Sequence, residues 1–341
     1  MPAVTEIVVL HYPAERGRNW DLLRAAARDR DLRLVSWVPH LIGLCCSDGK
    51  QYACYARKRA QPGIVLHRTV APFRGIAVPV LNCLAAGGSV VLNPPGAAFR
   101  SRDKLLTTLD LARAGIPVVP TVAFDEPAGA DLASLGPGGL VVKPARGVRG
   151  EGIRAFGSAA ALVSSWQLRG ARPGAPGYHA EREHYLAQPL IGGGGQDIRA
   201  YVVAGACVAL MRRVARPGEI RANLAQGATG SPLPADHPAG KIAAAALRAC
   251  RLDFGGVDMV EDADGTVRVL EVDAWAGFAG ITEVTGADVA GAILGHAAAQ
   301  QAAARNGGAP GPAGPDAPGP DAPGPDAPGA ERGAGAGGAG G

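Results

Sequence analysis

Aromatic side chains are scarce in this chain: Phe, Trp and Tyr make up 5% of its 341 residues. An excess of one charge is missing too. Lys and Arg number 34 against 30 Asp and Glu, a formal net charge of +4. That balance excludes a basic nucleic-acid tail protein and an acidic solvating chain. No apolar run approaches the ~18 residues of a membrane span. The short run Ile7–Leu10 has no basic stretch before it, so neither a membrane segment nor a targeting signal is expected. The six cysteines (45, 46, 54, 83, 207 and 250) contain no CxxC pair, and none stands at zinc-ligand spacing from a histidine. Adjacent Cys45 and Cys46 make a poor disulfide framework, and the expected compartment is a reducing cytoplasm. His179 and His184, near a Gly/Pro-rich bend, read as solvated loop histidines rather than as a metal site.

Glycine (50) and proline (28) are abundant, and much of the excess is local. Of the 36 residues 306–341, 21 are Gly or Pro, with PDAPG three times in succession. Such a segment buries almost nothing to offset the entropy of ordering it, so a disordered tail is expected there. The 47% apolar share lets residues 1–305 form about two domains.

The first of these, residues 1–95, alternates strand and helix. Strands are expected at 6–13, 32–39, 63–70 and 89–93, with helices at 19–30 (Asn19 its N-cap) and 73–87 and a polar stretch before residue 63. The pattern predicts a small doubly wound parallel sheet, α/β in class. No GxGxxG follows the first strand, so a nicotinamide-binding domain is not expected. After Asn93-Pro94-Pro95 the pattern changes. Helices are expected at 103–115, between residues 124 and 140, and at 158–169, 238–251 and 287–304. Strands are expected at 117–124, 140–147, 152–156, 185–192 and 220–228, with hairpins around Gly205 and over 255–274. Residues 96–305 are thus expected to form an α+β domain, largely antiparallel.

The last hairpin carries the most chemistry. Asp264-Gly265 is a two-residue turn signal, and a turn there puts Asp258 opposite Glu271, with Asp273 on the same face. Directly opposed carboxylates repel. Either a hard divalent cation such as magnesium relieves them or the face is exposed and relaxed by water. Upstream, VVKPARGVRGEG (141–152) is a glycine-rich loop after a strand, with Lys143, Arg146 and Arg149. It lacks the Walker A order, and by itself reads equally as a phosphate cradle or a tight connection.

Taken in order, DKLLT (103–107), VVKPARGVRGEG (141–152), LAQPLI (186–191), DIRAYVV (197–203), MRR (211–213), RAN (221–223), GGVDMV (255–260) and LEVDAWAGFAGITEVTG (270–286) resemble the ATP-grasp superfamily, and within it the RimK-type carboxylate–amine ligases. The resemblance spans residues 90–295, and the N-terminal segment is similar to the pre-ATP-grasp domain. It implies an ATP-dependent ligase that makes an amide through an acyl phosphate, with ATP and two magnesium ions, manganese able to substitute. Lys104 and Lys143 then hold phosphates. Arg146 to Gly152, with Gly147 and Gly150, form the loop over them. Gln188, Pro189, Leu190 and Ile191 border adenine, with Pro189 replacing a residue that offers an amide. Asp197 lies near the ribose. Arg199, Arg213 and Arg221, with Asn223, face the triphosphate and the acyl centre. Asp258, Glu271 and Asp273 take the metal positions, Asp273 where the family writes Asn. The implied partners are an amino acid, glutamate, and a carboxylate-bearing acceptor, with no nucleic acid and no membrane; self-association is left open. The layout of 274–286 is similar to ligases that glutamylate a small C1-carrier coenzyme. A protein C-terminus or an amino-group carrier protein is the alternative acceptor, and a non-catalytic nucleotide-binding protein the alternative of another class.

Overall fold

The computed structural model describes residues 5–11, 17–67, 77–147, 152–167, 184–191, 195–219, 222, 224, 227–262 and 264–306. The chain opens with β1 (Glu6–Leu10), α1 (Arg18–Arg28) and β2 (Arg33–Trp37). A small hairpin sheet follows, β3 (Ile42–Ser47), β4 (Lys50–Tyr55) and β5 (Lys58–Arg59), and then β6 (Ile64–His67), α2 (Ala77–Ala86) and β7 (Val90–Leu92). The order β2-β1-β6-β7 makes the expected parallel sheet. Ile7–Leu10 and Ile64–His67 are buried throughout, as strands covered on both faces must be. The hairpin sheet stands where a polar stretch was expected. Asp48-Gly49, both at positive φ, forms its turn, and Tyr55 stacks on Trp37 at 4.4 Å.

The second part runs through α3 (Pro95–Arg100), α4 (Lys104–Arg113), β8 (Val122–Phe124), β9 (Leu140–Pro144), β10 (Arg154–Phe156), α5 (Ala159–Gln167) and β11 (Tyr185–Pro189). It continues with β12 (Gln196–Val203), β13 (Ala206–Val214), β14 (Thr229–Pro232), α6 (Pro238–Ala249), β15 (Phe254–Glu261), β16 (Val267–Asp273), α7 (Ala279–Thr285) and α8 (Val289–Arg305). Two antiparallel sheets result, β10-β9-β11-β8 and β14-β13-β12-β15-β16. Along β12 the pleat sorts side chains by face. Ile198, Ala200 and Val202 pack with α6, while Tyr201 and Val203 join α1, α7, α8 and the parallel sheet in a second core. Among the described residues no helix is long and apolar enough to cross a membrane.

Several expectations need correction. Asn19 does not cap its own helix, whose N-cap is Gly17. Its Oδ1 instead accepts from the amides of Phe278 and Ala279 at 2.9 and 2.8 Å, satisfying orphan donors at the start of α7. The strand expected at 117–124 is split. Residues 117–119 bond to Val269 on β16, Pro120 has no N–H to continue the ladder, and β8 joins the other sheet. The expected helix after residue 124 is two short 3₁₀ turns, Pro127–Gly129 and Leu132–Leu135, because Pro and Gly interrupt the segment. The strand expected at 220–228 starts instead at Thr229; Ala222 and Leu224 are not in a strand, and the intervening residues 220, 221, 223, 225 and 226 lie outside the described set. So do the loop 148–151, the bend 170–177, and all of the expected tail beyond Asn306.

Candidate active site

Two faces occur on the same side of the five-stranded sheet. Toward one end, Tyr201, Val203 and Phe254 are buried in apolar surroundings. Toward the other, the same pleat presents Asp197, Arg199, Arg213, Asp258 and Glu271. Register pairs them: Asp197 with Arg213, Arg199 with Asp258, and Asp258 with Glu271. Arg199 grips Asp258 through two hydrogen bonds, one of them Nη2 to Oδ2 at 2.7 Å. Arg213 reaches Asp197 through Nε and Nη2 at 2.6 and 2.7 Å, and its Nη2 also donates to Asp258 Oδ1 at 2.9 Å. Two guanidinium forks thus bind two carboxylates in a continuous chain. Gly256 makes room for it. A Cβ there would lie 2.9 Å from Arg199 Nη1 and 2.5 Å from the Ala276 methyl.

Opposite this row stand the lysines. Lys104 is the first residue of α4, whose N-cap Asp103 accepts from the amides of Leu105 and Leu106. Its Nζ donates to the Gly147 carbonyl at 3.1 Å and lies 3.5 Å from Glu271 Oε1. Lys143, on β9, donates to the Leu270 carbonyl at 3.4 Å. Leu270 is the extra residue of a β-bulge, because Asp258 pairs with Glu271 while Met259 pairs with Val269. Bulges re-aim backbone and side chains in this way. Arg146 is 70% exposed and donates to Asp103 Oδ2, so its guanidinium is accessible to solvent above the lysines. At the strand end, Gln188 bonds Thr121 at 2.9 Å, and the Leu190 amide is already donated to the Gly139 carbonyl at 2.8 Å.

Burial sets the electrostatics. It pushes Lys143 down to about 8, against the pull of Glu271. Burial would raise the Asp258 carboxyl, but Arg199 and Arg213 outweigh it and hold it below the carboxylate range. Asp197 is pushed up to about 6, because its desolvation exceeds what Arg213 returns. Asp273 is raised by burial and then by Glu271, while its Oδ1 accepts from the Trp275 amide at 2.8 Å.

The structure therefore brings together Lys104, Lys143, Gly147, Asp197, Arg199, Arg213, Asp258, Glu271 and Asp273, with Arg146, Gly152 and Gln188 to Ile191 around them. Gly150, Arg221 and Asn223 lie outside the described residues. Among the described residues no three His, Cys, Asp or Glu side chains are grouped closely enough to hold an ion. The carboxylates form an open face rather than a closed cage, and their hard oxygens suit magnesium that takes further ligands from phosphate. His184 is exposed and pairs with Asp125, in keeping with a surface histidine. Sequence reasoning passed over Arg102, whose guanidinium lies 5.5 Å from the Trp275 ring centre. It also passed over His67, which meets the Trp275 indole N–H at 3.3 Å, and Asn93, whose carbonyl meets His67. A histidine ending an apolar strand carries no signal by itself.

Two antiparallel sheets, with Lys143 on one, a guanidinium–carboxylate face on the other and Lys104 at the start of α4 reaching Gly147 and Glu271, define an ATP-grasp fold. A family model described as "RimK-like ATP-grasp domain" matches residues 178–296. A protein of Xanthomonas euvesicatoria pv. vesicatoria (strain 85-10) named "Probable alpha-L-glutamate ligase" is 34% identical over 254 residues, 70% of this chain and 82% of that one. A protein of the same name from Stenotrophomonas maltophilia (strain K279a) is 34% identical over 271 residues, 78% of this chain and 88% of that one. Among solved structures, the ATP-grasp ligase PsnB with Mg and ADP shares the fold at a TM-score of 0.65 and 20% identity, covering 87% of this chain and 99% of that one. The chain belongs to the RimK-like ATP-grasp family. It is an ATP-dependent ligase that forms carbon–nitrogen bonds.

Proposed function

We propose that the chain phosphorylates a carboxylate on an acceptor with ATP and joins the resulting acyl group to the amino group of glutamate, releasing ADP and phosphate. The observation that supports this reading is the chain of Asp197, Arg213, Asp258 and Arg199 facing Lys104 and Glu271. Lys104 and Lys143 hold the phosphates, and Arg199 and Arg213 stabilise oxyanions as they develop. Asp258, Glu271 and Asp273 would hold two magnesium ions, or manganese in their place, which supply counter-charge for the triphosphate. Arg146 closes over the nucleotide and helps to exclude water from the acyl phosphate. Adenine meets few amides at 188–191, since Pro189 has none and that of Leu190 is already bonded.

The acceptor is a small coenzyme in the reading that rests on the layout of 274–286. Within it Trp275, Ala276 and Phe278 are nearly fully buried, so the residues of that stretch open to an acceptor include the exposed Gly277 and Glu283 and not these three. A peptide acceptor is the second reading, favoured by the solved complex of PsnB with its precursor peptide at a TM-score of 0.66. The test supplies ATP, magnesium and glutamate to the small-molecule and the protein fractions of a cell extract separately. Glutamyl mass gain in the first fraction supports the coenzyme, and gain in the second supports the peptide. ATP binding without ADP release in either fraction would leave a nucleotide-binding protein and sink the ligase reading for this substrate pair.

A pH-dependent signature is expected from Lys143. With its amine at about 8 in the free protein, part of the population is neutral at pH 8.5, and a triphosphate beside it favours the charged form. ATP binding at pH 8.5 should therefore take up protons, read from calorimetry in two buffers of different ionisation enthalpy. Binding without proton uptake would place the triphosphate away from Lys143.

A further inference from the structure

A run of hydrogen bonds links the parallel sheet to the Asp273 carboxylate. Asn93, just after β7, is buried and ties down the start of β15. Its Oδ1 accepts from the amides of Asp253 and Phe254 at 2.7 and 3.0 Å, and its Nδ2 donates to the Phe254 carbonyl at 2.8 Å. The Asn93 carbonyl meets His67 Nε2 at 2.7 Å. A ring nitrogen facing a carbonyl must carry the proton, so Nδ1 is the acceptor in a neutral ring. Nδ1 in turn faces the Trp275 indole N–H at 3.3 Å. The Trp275 backbone amide then donates to Asp273 Oδ1 at 2.8 Å. Burial holds His67 at about 4, so the ring is neutral, and its tautomer set by these two partners, throughout the working range.

We infer that His67 is a positioning residue for the ligase reaction, which through Trp275 fixes the orientation of the Asp273 carboxylate. The inference rests on the proposed metal role of Asp273. Trp275 is held by His67 at its indole, by Asp273 at its backbone and by Arg102 over its ring. Freeing the indole N–H removes the one of these holds that ties the ring to the parallel sheet, and so loosens the backbone amide on Oδ1. The other oxygen of Asp273 then loses its fixed direction toward the ligand face. Hydrogen bonds behind a metal-binding carboxylate commonly change metal affinity by about 10–100-fold when broken. No step of phosphoryl transfer touches His67 itself. Its effect should accordingly appear in magnesium demand, whereas a residue that merely glues the two parts together would affect melting alone.

Two half-mimics separate these roles. His67→Asn places an acceptor where Nδ1 lies and gives up the bond to Asn93. His67→Gln places a donor where Nε2 lies and gives up the bond to Trp275. Trp275→Phe removes the indole N–H and keeps a ring. The readout is the magnesium concentration that gives half the thermal stabilisation by saturating ATP, alongside the melting temperature of the free protein. His67→Gln and Trp275→Phe should each raise that midpoint by about tenfold, His67→Asn by no more than about twofold, and the His67→Gln/Trp275→Phe pair no further than either alone. Equal shifts in the two histidine variants, or lowered melting with unchanged midpoints, would overturn the inference and leave His67 as structural glue. If ATP stabilised the unaltered protein equally with and without magnesium, the metal reading of Asp273 would fall and the inference with it.

Discussion

Glu271→Gln is expected to lower ADP-forming turnover by about 10²-fold or more at saturating ATP, since one charge-assisted contact to a phosphoryl transition state is worth that much. Glu271 is well suited to this role. Its Oε1 lies 3.5 Å from Lys104 and its side chain is 37% exposed, so a carboxylate oxygen is available to a ligand without breaking a guanidinium pair. Asp258→Asn should be comparably damaging, for a second reason as well: two arginines converge on it, and a neutral amide leaves both under-compensated. Its loss of activity should therefore come with a loss of stability that Glu271→Gln does not show. Asp273→Asn keeps the oxygen that accepts from the Trp275 amide and supplies the residue that the sequence resemblance implies at this position. A working enzyme with weaker magnesium affinity is the expected result. The measurement is ADP release titrated with magnesium for the three variants, with melting curves. If Asp273→Asn were the most damaging, Asp273 would be acting chemically, as a base toward the incoming amine, and the transfer of metal roles would be wrong.

The register behind these pairs shows where sequence reasoning succeeds and where it runs out. A two-residue turn at Asp264-Gly265 leads to Asp258 opposite Glu271, and that pair is observed, though by a different route. The turn is longer, closing between Asp262 and Thr266, and the bulge at Leu270 shifts the ladder back by one residue. Two departures cancel. In the neighbouring hairpin nothing cancels. The turn at Ala204-Gly205 pairs Val203 with Ala206, and an unbroken ladder from there would put Asp197 opposite Arg212. An irregularity after Tyr201 moves the partner to Arg213, and a one-residue shift of this kind changes which arginine shares a face with the acid. Strand–helix alternation was legible because it depends on a few neighbouring residues. Bulges depend on how two strands twist against a third, and the pairing of Asp197 with Arg213 was hidden for that reason. Asn19 was misplaced for the related reason that its partners on α7 are some 260 residues away.

Arg213→Met is expected to cost about 3–5 kcal/mol of stability, the range for removing one partner of a buried ion pair, and to abolish turnover. The side chain of Arg213 is 9% exposed and is shared by Asp197 and Asp258, so its loss leaves two desolvated carboxylates. Arg199 still holds Asp258 through both oxygens, which makes Asp197 the group left without compensation. Asp197 also borders a cleft of about 180 Å³ lined by Arg212, Glu261 and Asp262. There Arg212 is already paired with Glu261 and Asp262 with Arg268, so neither pair supplies Asp197 with a spare cation. The direction with pH follows from linkage. With Arg213 present, Asp197 sits at about 6, above its value of about 4 in an unfolded chain. A raised folded value means that the stability gained from protonation is complete below the unfolded value and is lost as pH rises through the folded one. Without the guanidinium the folded value rises further, so the deficit relative to the unaltered protein should be modest at pH 5 and largest at pH 8. Urea unfolding at both values measures it, and Arg213→Met/Asp197→Asn should recover a large part of the loss at pH 8 without restoring turnover. A deficit equal at the two pH values would show that Asp197 does not carry the uncompensated charge and would move the burden to Asp258.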